Sequence, residues 1–261
     1  MELGLKGRRV LITGGSQGIG YGVAEGFLEE GCSVVIASKN EERLRSAVES
    51  LSKYGRDKVR GKAIDLSLPG AAAALADSYN DTDILINNAG AIPSGDIFEV
   101  DEARWREAWD LKVFGYINLM RAMFAHMRGH PPKVILNVIG MGAERPQWRY
   151  VCGNAANVAL NGITKSLGGR SLDHGVRVVG FNPGAVETDR VRTLLKGRAE
   201  KMFGDASRWR EVLASTQPHG RAATTKEIAD VVVFLASDRA AWICGEVVNL
   251  DAGNIYRPDL F

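Results

Sequence analysis

The sequence has 261 residues, of which 45% are hydrophobic and 25% charged, an ordinary balance for a globular protein. Its 33 basic and 31 acidic residues give a formal net charge of +2, which argues against a nucleic-acid-binding surface. No apolar run is long enough to span a membrane, so we expect no membrane partner. The three cysteines include no Cys-x-x-Cys pair, so we expect no metal site and a reducing, cytoplasmic environment.

Short apolar segments alternate with longer segments of helical periodicity along the chain. The apolar segments lack polar alternation, which predicts strands that are buried on both faces. The predicted strands are Arg9–Thr13, Ser33–Ala37, Val59–Ile64, Asp83–Ile86, Lys133–Val138, Val176–Phe181 and Val247–Leu250. The predicted helices are Gly18–Glu30, Glu41–Ser52, Gly70–Ser78, Glu102–Met127, Ala155–Leu172 and Lys226–Ala236. This order predicts one α/β domain over 1–261, a doubly wound parallel Rossmann-type sheet of about seven strands with helices on both faces.

The segment 187–218 interrupts this alternation. It is rich in Arg, Lys and Glu, with scattered apolar residues, and it follows the sixth predicted strand. Ligands bind at the carboxyl edge of open α/β sheets, so we predict that this segment is a substrate lid. The alternative is an ordinary pair of surface helices.

A glycine-rich turn follows the first predicted strand. The residues Thr13-Gly14-Gly15-Ser16-Gln17-Gly18-Ile19-Gly20 join that strand to a helix. Glycines permit the tight turn and let the backbone approach a pyrophosphate, while the helix start offers free N–H groups to the anion. The context of strand, turn and helix therefore predicts a dinucleotide site.

These motifs resemble those of the short-chain dehydrogenase/reductase family over essentially the whole chain. The glycine turn resembles the family's T-G-x-x-x-G-I-G, Asn87-Asn88-Ala89-Gly90 its N-N-A-G, Asp65-Leu66 its adenine-contacting pair, and Asn182-Pro183-Gly184 with Val186 its P-G motif. The resemblance implies an NAD(P)(H)-dependent oxidoreductase for a small carbonyl or alcohol, and a homodimer or homotetramer. It also implies these cofactor-binding residues: Gly14, Ser16, Gln17, Gly18, Ile19, Gly20, Ser38, Lys39, Asp65, Leu66, Asn88, Ala89, Gly90, Pro183, Gly184 and Val186.

The end of the second strand bears on the choice between cofactors. An acidic residue there would accept the ribose hydroxyl bonds of NAD(H), but the sequence continues Ser38-Lys39-Asn40. Lys39 can meet a 2′-phosphate, with Ser38 donating a hydrogen bond, which favours NADP(H) over NAD(H). Gln17 weakens this preference, because NADP(H)-dependent members of the family often carry a basic residue at that position.

The family carries out catalysis with Asn, Ser, Tyr and Lys residues. Here Thr164-Lys165-Ser166-Leu167 and Pro183-Gly184 match the family without an insertion between them. In that register, the positions of the Asn, Ser, Tyr and Lys are occupied by Lys112, Gly140, Gly153 and Asn157, respectively. The resemblance therefore implies a divergent member in which all four catalytic residues are replaced.

One hypothesis is rewired catalysis by Tyr150, Lys112 and Asn157. Tyr150 precedes Gly153 by three residues, so one helical turn would bring it to the same face, about 5–6 Å away. Lys112 would lower the pKa of Tyr150 or polarise a carbonyl, and Asn157 would hydrogen-bond the nicotinamide ribose.

Other interpretations remain open at this point. Tyr150 can simply pack at a helix start, and Lys112 can pair with a neighbouring carboxylate such as Asp110 or Glu107. The protein can also bind a cofactor without ordinary hydride transfer, as a redox sensor, an assembly partner, or a lyase or isomerase. Arg145, in the loop after the fifth strand, is either a clamp for an anionic substrate or a solvated loop charge. The sequence does not name the substrate.

Overall fold

The core of the protein is one parallel sheet of seven strands. The computed structural model describes residues 1–130 and 132–257; residues 131 and 258–261 of the predicted domain lie outside the described part. The strands are β1 Arg9–Thr13, β2 Ser33–Ser38, β3 Val59–Ala63, β4 Ile84–Asn87, β5 Lys133–Val138, β6 Val176–Pro183 and β7 Val247–Leu250. They are arranged in the order β3-β2-β1-β4-β5-β6-β7. The predicted fold class is confirmed.

Helices cover both faces of this sheet. The α-helices are α1 Gly18–Glu29, α2 Glu41–Leu51, α3 Ala71–Ser78, α4 Glu102–Trp109, α5 Gly115–Met127, α6 Val151–Ser171, α7 Asp189–Phe203, α8 Trp209–Thr216 and α9 Thr225–Ala236. Polar residues cap several of them, as at α2, where the side chain of Asn40 accepts a hydrogen bond from the Arg43 N–H. Within the described residues, no helix combines the length and the apolarity needed to cross a membrane.

The apolar side chains of the sheet belong to two clusters, one on each face of the sheet. Ile12 of β1 belongs to the cluster that packs under α1, α2 and α9, whereas its neighbour Leu11 belongs to the one under α3, α5 and α6. Both side chains are fully buried, and burial of each contributes roughly 1.5–3 kcal/mol. Burial of successive residues on opposite faces explains why these strands lack polar alternation in the sequence.

The strand order creates a crevice between β1 and β4. β1 pairs with β2 on one side and with β4 on the other. The connection after β1 therefore leads toward one edge of the sheet, and the connection after β4 leads toward the opposite edge. In doubly wound sheets the crevice at such a switch point, at the carboxyl ends of the strands, is where ligands bind. The glycine turn after β1 and the Asn-Asn-Ala-Gly segment after β4 both lie at this edge.

Three element boundaries differ from the prediction in ways that concern the site. The α6 helix begins at Val151 rather than at Ala155, and β6 continues to Pro183. The predicted long helix is helical throughout, but Asp110–Phe114 forms a π-helical turn between α4 and α5. One wider turn inside a helix shifts the direction of the residues it contains, and such turns are frequent at functional sites.

The segment 187–218 folds as two helices, α7 and α8, separated by a short 3-10 turn at Ala206–Arg208. In α7 only Ala199 is buried, so most of that helix is open to solvent. Its first turn faces the glycine turn of the crevice. The function of the segment as a lid stays a prediction.

Candidate functional site

The glycine turn leaves an anion-binding surface at the start of α1. Gly14 and Gly18 have φ angles of 64° and 57°, which glycine adopts at little cost. The residue before α1, Gln17, makes no side-chain capping bond, and the first turn of the helix contains no acidic residue. The first N–H groups of α1 are therefore not satisfied by a cap, and they and the helix dipole favour a negative group.

Asn88 braces this turn from the next strand. Its side-chain amide donates to the carbonyl oxygens of Thr13 and Gly14, each at 3.0 Å, and the Thr13 hydroxyl oxygen accepts from the N–H groups of Asn88 and Ala89 at 2.9 and 3.0 Å. A Cβ atom placed on Gly14 would lie 2.9 Å from the Cα of Ala89. Gly14 is therefore needed for the turn to pack closely against the segment after β4, and glycine turns of this kind bind dinucleotide diphosphates.

The opposite wall of the crevice comes from β6 and the segment after it. A Cβ atom on Gly18 would lie 3.2 Å from the methyl carbon of Thr188, so this segment directly faces the glycine turn. A Cβ atom on Gly184 would lie 3.1 Å from the Cα of Asp251, and Val186 is buried and bridges Ala223. The predicted Pro183-Gly184 bend therefore lies across the crevice from α1.

The predicted adenosine end contains an interconnected set of polar residues. The Ser16 hydroxyl donates to the hydroxyl of Ser38 at 3.0 Å, and the Lys39 ammonium is 3.8 Å from Asp65 Oδ2. Partial burial raises the pKa of Asp65, but two hydrogen bonds from Ser67 and the charge of Lys39 outweigh it and hold that pKa below its usual value. The lysine side chain is 57% exposed, so its charge is available to a ligand. Leu66 is buried among apolar side chains.

Arg43 is a basic residue that the sequence interpretation missed. It lies in the first turn of α2, and its Nη1 donates to Gln17 Oε1 at 3.2 Å. This contact brings a guanidinium to the glycine turn at the place where the sequence offers only a neutral glutamine. A signal was present, because a basic residue in the first turn of a helix opposes the helix dipole and so calls for another explanation.

Tyr150 occupies the space over Gly153. It is the residue before α6, with φ −146° and ψ 33°, so it is not on a helical turn with Gly153 as the sequence suggested. A Cβ atom on Gly153 would nonetheless overlap the Tyr150 ring. Burial raises the pKa of the phenol, partly opposed by the charge of Arg190. Among the residues described, none forms a hydrogen bond with the Tyr150 hydroxyl.

The backbone around Tyr150 is held by the loop after β4. The Gly95 N–H donates to the Arg149 carbonyl at 2.8 Å, and Gly95 bridges Tyr150 in a parallel pairing. Arg149 also pairs with Glu99 at 2.6 Å. The aromatic ring is therefore positioned both by its own loop and by a neighbouring one.

Lys112 is buried on the π-helical turn and bonded to the predicted catalytic amide. Its ammonium donates to the Ile139 carbonyl at 2.7 Å and to Asn157 Oδ1 at 2.8 Å. Burial lowers its pKa to about 7, and Arg190 acts in the same direction. In residues 1–130 and 132–257 no carboxylate pairs with it, so the expected alternative of an ion pair with Asp110 or Glu107 is not observed.

The three predicted catalytic residues meet around two glycines. A Cβ atom on Gly140 would lie 2.9 Å from Asn157 Nδ2, and one on Gly142 would lie 3.3 Å from that nitrogen and 3.5 Å from the Tyr150 ring. Lys112 joins this group through its bond to Asn157, but it has no direct hydrogen bond to Tyr150 in the described part of the chain. The structure therefore brings Tyr150, Asn157 and Lys112 together with Asn157 in the middle.

A cleft of about 540 Å³ runs between the glycine turn and α7. Its lining includes Gln17 and Arg43 at one end, Ile92 and Ser94 from the loop after β4, and Asp189 and Arg190 from the first turn of α7. The predicted clamp Arg145 lies elsewhere: its Nη1 donates to the Asn254 carbonyl at 2.8 Å, so it contacts the C-terminal segment. The arginine that faces the cleft is Arg190.

Residues 14–254 match a family model described as enoyl-(acyl carrier protein) reductase. The chain belongs to the short-chain dehydrogenase/reductase (SDR) family. All candidate site residues of this SDR lie within the matched range.

Several known proteins resemble this SDR along nearly their full lengths. An uncharacterized oxidoreductase of Bacillus subtilis, YvrD, is 30% identical over 98% of this chain and 99% of its own. A 3alpha-hydroxysteroid dehydrogenase of Mediterraneibacter gnavus is 30% identical over 96% and 98%. The crystal structure of L-sorbose reductase from Gluconobacter frateurii, complexed with NADPH and L-sorbose, superposes with a TM-score of 0.90 at 29% identity and covers 99% of this chain and 100% of that one.

These comparisons confirm the predicted family and the SDR class of oxidoreductase. The preference for NADP(H), the roles of Tyr150, Lys112 and Asn157, and the substrate stay predictions.

Proposed function

We propose that this SDR is an NADP(H)-preferring oxidoreductase that interconverts a small carbonyl compound and its alcohol, using Tyr150, Lys112 and Asn157 in place of the usual residues. The observation that carries the proposal is the position of the Tyr150 ring over Gly153. In the family register, residue 153 is where the catalytic tyrosine stands. A phenol that starts from residue 150 therefore fills the volume next to that position.

Tyr150 is proposed as the proton donor. Its burial raises the pKa of the phenol, so the hydroxyl keeps its proton at neutral pH. In the reduction, a hydride adds to the carbonyl carbon while the phenol gives its proton to the carbonyl oxygen, and the C=O bond becomes a C–OH bond. General acid catalysis of this kind contributes typically about 10²–10⁴-fold to the rate.

Lys112 is proposed to supply a positive charge to this site, and Asn157, which it holds by a hydrogen bond, is proposed to position the reacting groups. In the family register they exchange places: the lysine comes from the long helix, and the amide from α6. The Lys112 ammonium bonds Asn157 Oδ1, which leaves Asn157 Nδ2 directed toward Gly140 and Gly142. In its protonated form Lys112 stabilises negative charge that develops on the Tyr150 and substrate oxygens.

The remaining crevice fits a bound nicotinamide dinucleotide. NADP(H), when bound, supplies or accepts the hydride. The N–H groups at the start of α1 would hold its diphosphate, and Ser38, Lys39 and Arg43 would meet a 2′-phosphate. No acidic residue ends β2, which removes the usual acceptor for the ribose hydroxyl of NAD(H). The similar crystal structure of L-sorbose reductase is complexed with NADPH, which supports this choice of cofactor.

The decisive experiment joins a binding measurement to a turnover measurement. We expect NADPH to bind more tightly than NADH in calorimetry, and at least one small carbonyl compound in a broad panel to oxidise NADPH. Tyr150→Phe should slow that reaction by about 10²-fold or more. Tyr54→Phe, which alters a surface tyrosine bonded to Glu29, is the matched control and should keep the wild-type rate. Tight cofactor binding with no turnover would favour the alternative of a cofactor-binding protein without hydride transfer.

Arg43 provides a separate test of the cofactor preference. Arg43→Ala should raise the Kd of NADPH by about 10–10²-fold while changing that of NADH little, because a charge-assisted contact to phosphate contributes about 1.5–3 kcal/mol. Arg45→Ala removes an equal charge from an exposed position on the same helix and should change neither constant much. An equal loss of affinity for both cofactors would contradict the proposed contact to the 2′-phosphate.

We also propose a cytoplasmic homodimer or homotetramer, as the family resemblance implies. Cys32, Cys152 and Cys244 are all free thiols, which suits a reducing compartment. Light scattering should give a mass of two or four subunits, and a fluorescent fusion should distribute through the cytoplasm. A monomer mass at micromolar concentration would contradict the assembly.

A further inference from the structure

Arg190 is an anchored arginine at the mouth of the cleft. It lies in the first turn of α7, and its Nη2 donates to the Ile92 carbonyl across the cleft at 2.7 Å. Ile92 is itself 5% exposed and packs in an apolar cluster with Val113 and Tyr150. One donor therefore holds the guanidinium in place, and its other N–H groups can bind a further partner.

The charge of Arg190 has no acidic partner within the described part of the chain. In the described ranges, 1–130 and 132–257, no carboxylate forms an ion pair with Arg190. Asp189 is its neighbour in the chain and lines the same cleft, but its side chain is 91% exposed and pairs with Arg192 at 3.4 Å. A guanidinium that is held in a cleft without a carboxylate suits an anionic ligand, because planar donors match carboxylate and phosphate oxygens.

The same guanidinium acts on the proposed catalytic groups. Its charge lowers the pKa of both Lys112 and Tyr150, so it lies within electrostatic range of the two side chains. Ile92, whose carbonyl accepts the hydrogen bond from Arg190, belongs to the apolar cluster against which Tyr150 packs, so an anion that binds Arg190 would lie on the side of the cleft nearer Tyr150. Arg43 lies with Gln17 at the other end of the cleft, beside the glycine turn, and is assigned to the cofactor.

We infer that the carbonyl substrate carries an oxyanion, either a carboxylate or a phosphate, which Arg190 binds from α7 while the carbonyl group faces Tyr150. This inference rests on the proposed function, because it names the substrate class of that same site. It also gives the segment 187–218 a chemical role, since that segment supplies the residue that selects the substrate.

Matched pairs of probes test the inference by kinetics. Methyl-ketone acids of increasing chain length are compared with their amides, and dihydroxyacetone phosphate with dihydroxyacetone, so that carboxylate and phosphate are tested separately. Wild type should show a higher kcat/KM for the anion of at least one pair. Arg190→Gln should reduce that anion-to-neutral ratio by about tenfold or more, because the amide keeps a donor for Ile92 but carries no charge.

Arg198→Gln is the matched control for this variant. It removes the same charge from an exposed position two turns further along α7 and should keep the wild-type ratio. Equal rates with anionic and neutral probes, or equal ratios in the two variants, would overturn the inference. Weaker NADPH binding in Arg190→Gln with an unchanged ratio would also overturn it, because Arg190 would then serve the cofactor.

A binding measurement separates this inference from the proposed function. The same probes are titrated by calorimetry into protein saturated with NADP⁺, in which no carbonyl can be reduced. Anion binding that Arg190→Gln weakens and Arg198→Gln preserves would support the substrate class even if no turnover occurred. Turnover of neutral carbonyls without binding of any anionic probe would support the proposed function and overturn the inference.

Discussion

The proposed cofactor half and the proposed catalytic half of this SDR are built in different ways. Around β1 and α1 the site consists mainly of backbone within one short stretch, braced by the side chains of Asn88 and Thr13. Around β5 and α6 the proposed chemistry depends on side chains from separate elements, Lys112 on the π-helical turn, Tyr150 before α6, and Asn157 within it. A site made of backbone requires glycines at fixed positions in the chain. A site made of side chains is less restricted, because a side chain that starts from a different Cα can still bring its functional group to the same place.

The substitution with the largest expected effect disrupts the glycine turn of the cofactor half. A Cβ atom on Gly20 would collide with the Asn88 side-chain nitrogen and lie 2.5 Å from the Gly14 carbonyl oxygen. Gly20→Ala should therefore displace the turn and raise the Kd of NADPH by about 10²-fold or more, as measured by calorimetry. Gly169→Ala, where a Cβ meets nothing within 4 Å, is the control and should bind normally. Normal binding by Gly20→Ala would show that the turn tolerates a side chain.

A second substitution probes the catalytic half with the same kind of change. In Gly153→Ala the new methyl group must push the Tyr150 ring aside. We expect kcat/KM to fall by about 10²-fold, comparable to the loss of the phenol, while the Kd of NADPH stays near that of wild type.

Gly162→Ala provides the comparison on the same helix. Nothing lies within 4 Å of a Cβ at Gly162, so the variant should gain roughly 0.5–1 kcal/mol in free energy of unfolding from helix propensity and keep its activity. If Gly153→Ala matched it in both stability and rate, the Tyr150 ring would have no role in catalysis.

The pH dependence gives a smaller and more specific test of Lys112. Burial lowers its folded-state pKa to about 7, below the 10.5 of an unperturbed lysine, so the unfolded chain binds more protons between these values. The free energy of unfolding must therefore rise with pH above 7 as a result of this residue. The free energy of unfolding of wild type relative to Lys112→Met should increase between pH 7 and pH 9, by at most about 1.4 kcal/mol per pH unit.

The pH dependence of kcat/KM should also report the ionisation of Lys112. If the ammonium form supports reduction, kcat/KM should fall with rising pH around 7 in wild type, and this limb should be absent in Lys112→Met. Lys165→Met, an exposed lysine on α6, should retain it. The phenol of Tyr150 cannot produce that limb, because its pKa is raised above its ordinary value of 10.0. An unchanged profile in Lys112→Met would exclude the lysine from the mechanism.

The sequence was most informative where function depends on local backbone. Gly14, Gly18 and Gly20 indicate a dinucleotide site from the sequence alone. The tight turn, the start of α1 and the close packing of the turn against the segment after β4 all fall within these few residues. Arg43 was missed for the opposite reason. Its contact with Gln17 crosses from α2 to the start of α1, and nothing in the spacing of the two residues along the chain indicates that they meet.

The sequence alone determined the α/β fold and its family, because apolar strand runs and glycine positions are set by short-range geometry, and it predicted a dinucleotide site at the glycine turn. It also singled out Tyr150, Lys112 and Asn157 by register. Only the tertiary structure decided that Asn157 joins the other two, that Arg145 turns to the C-terminal segment, and that Arg190 faces the cleft. Those contacts join residues that are far apart in the chain, and packing rather than spacing determines which side chains meet.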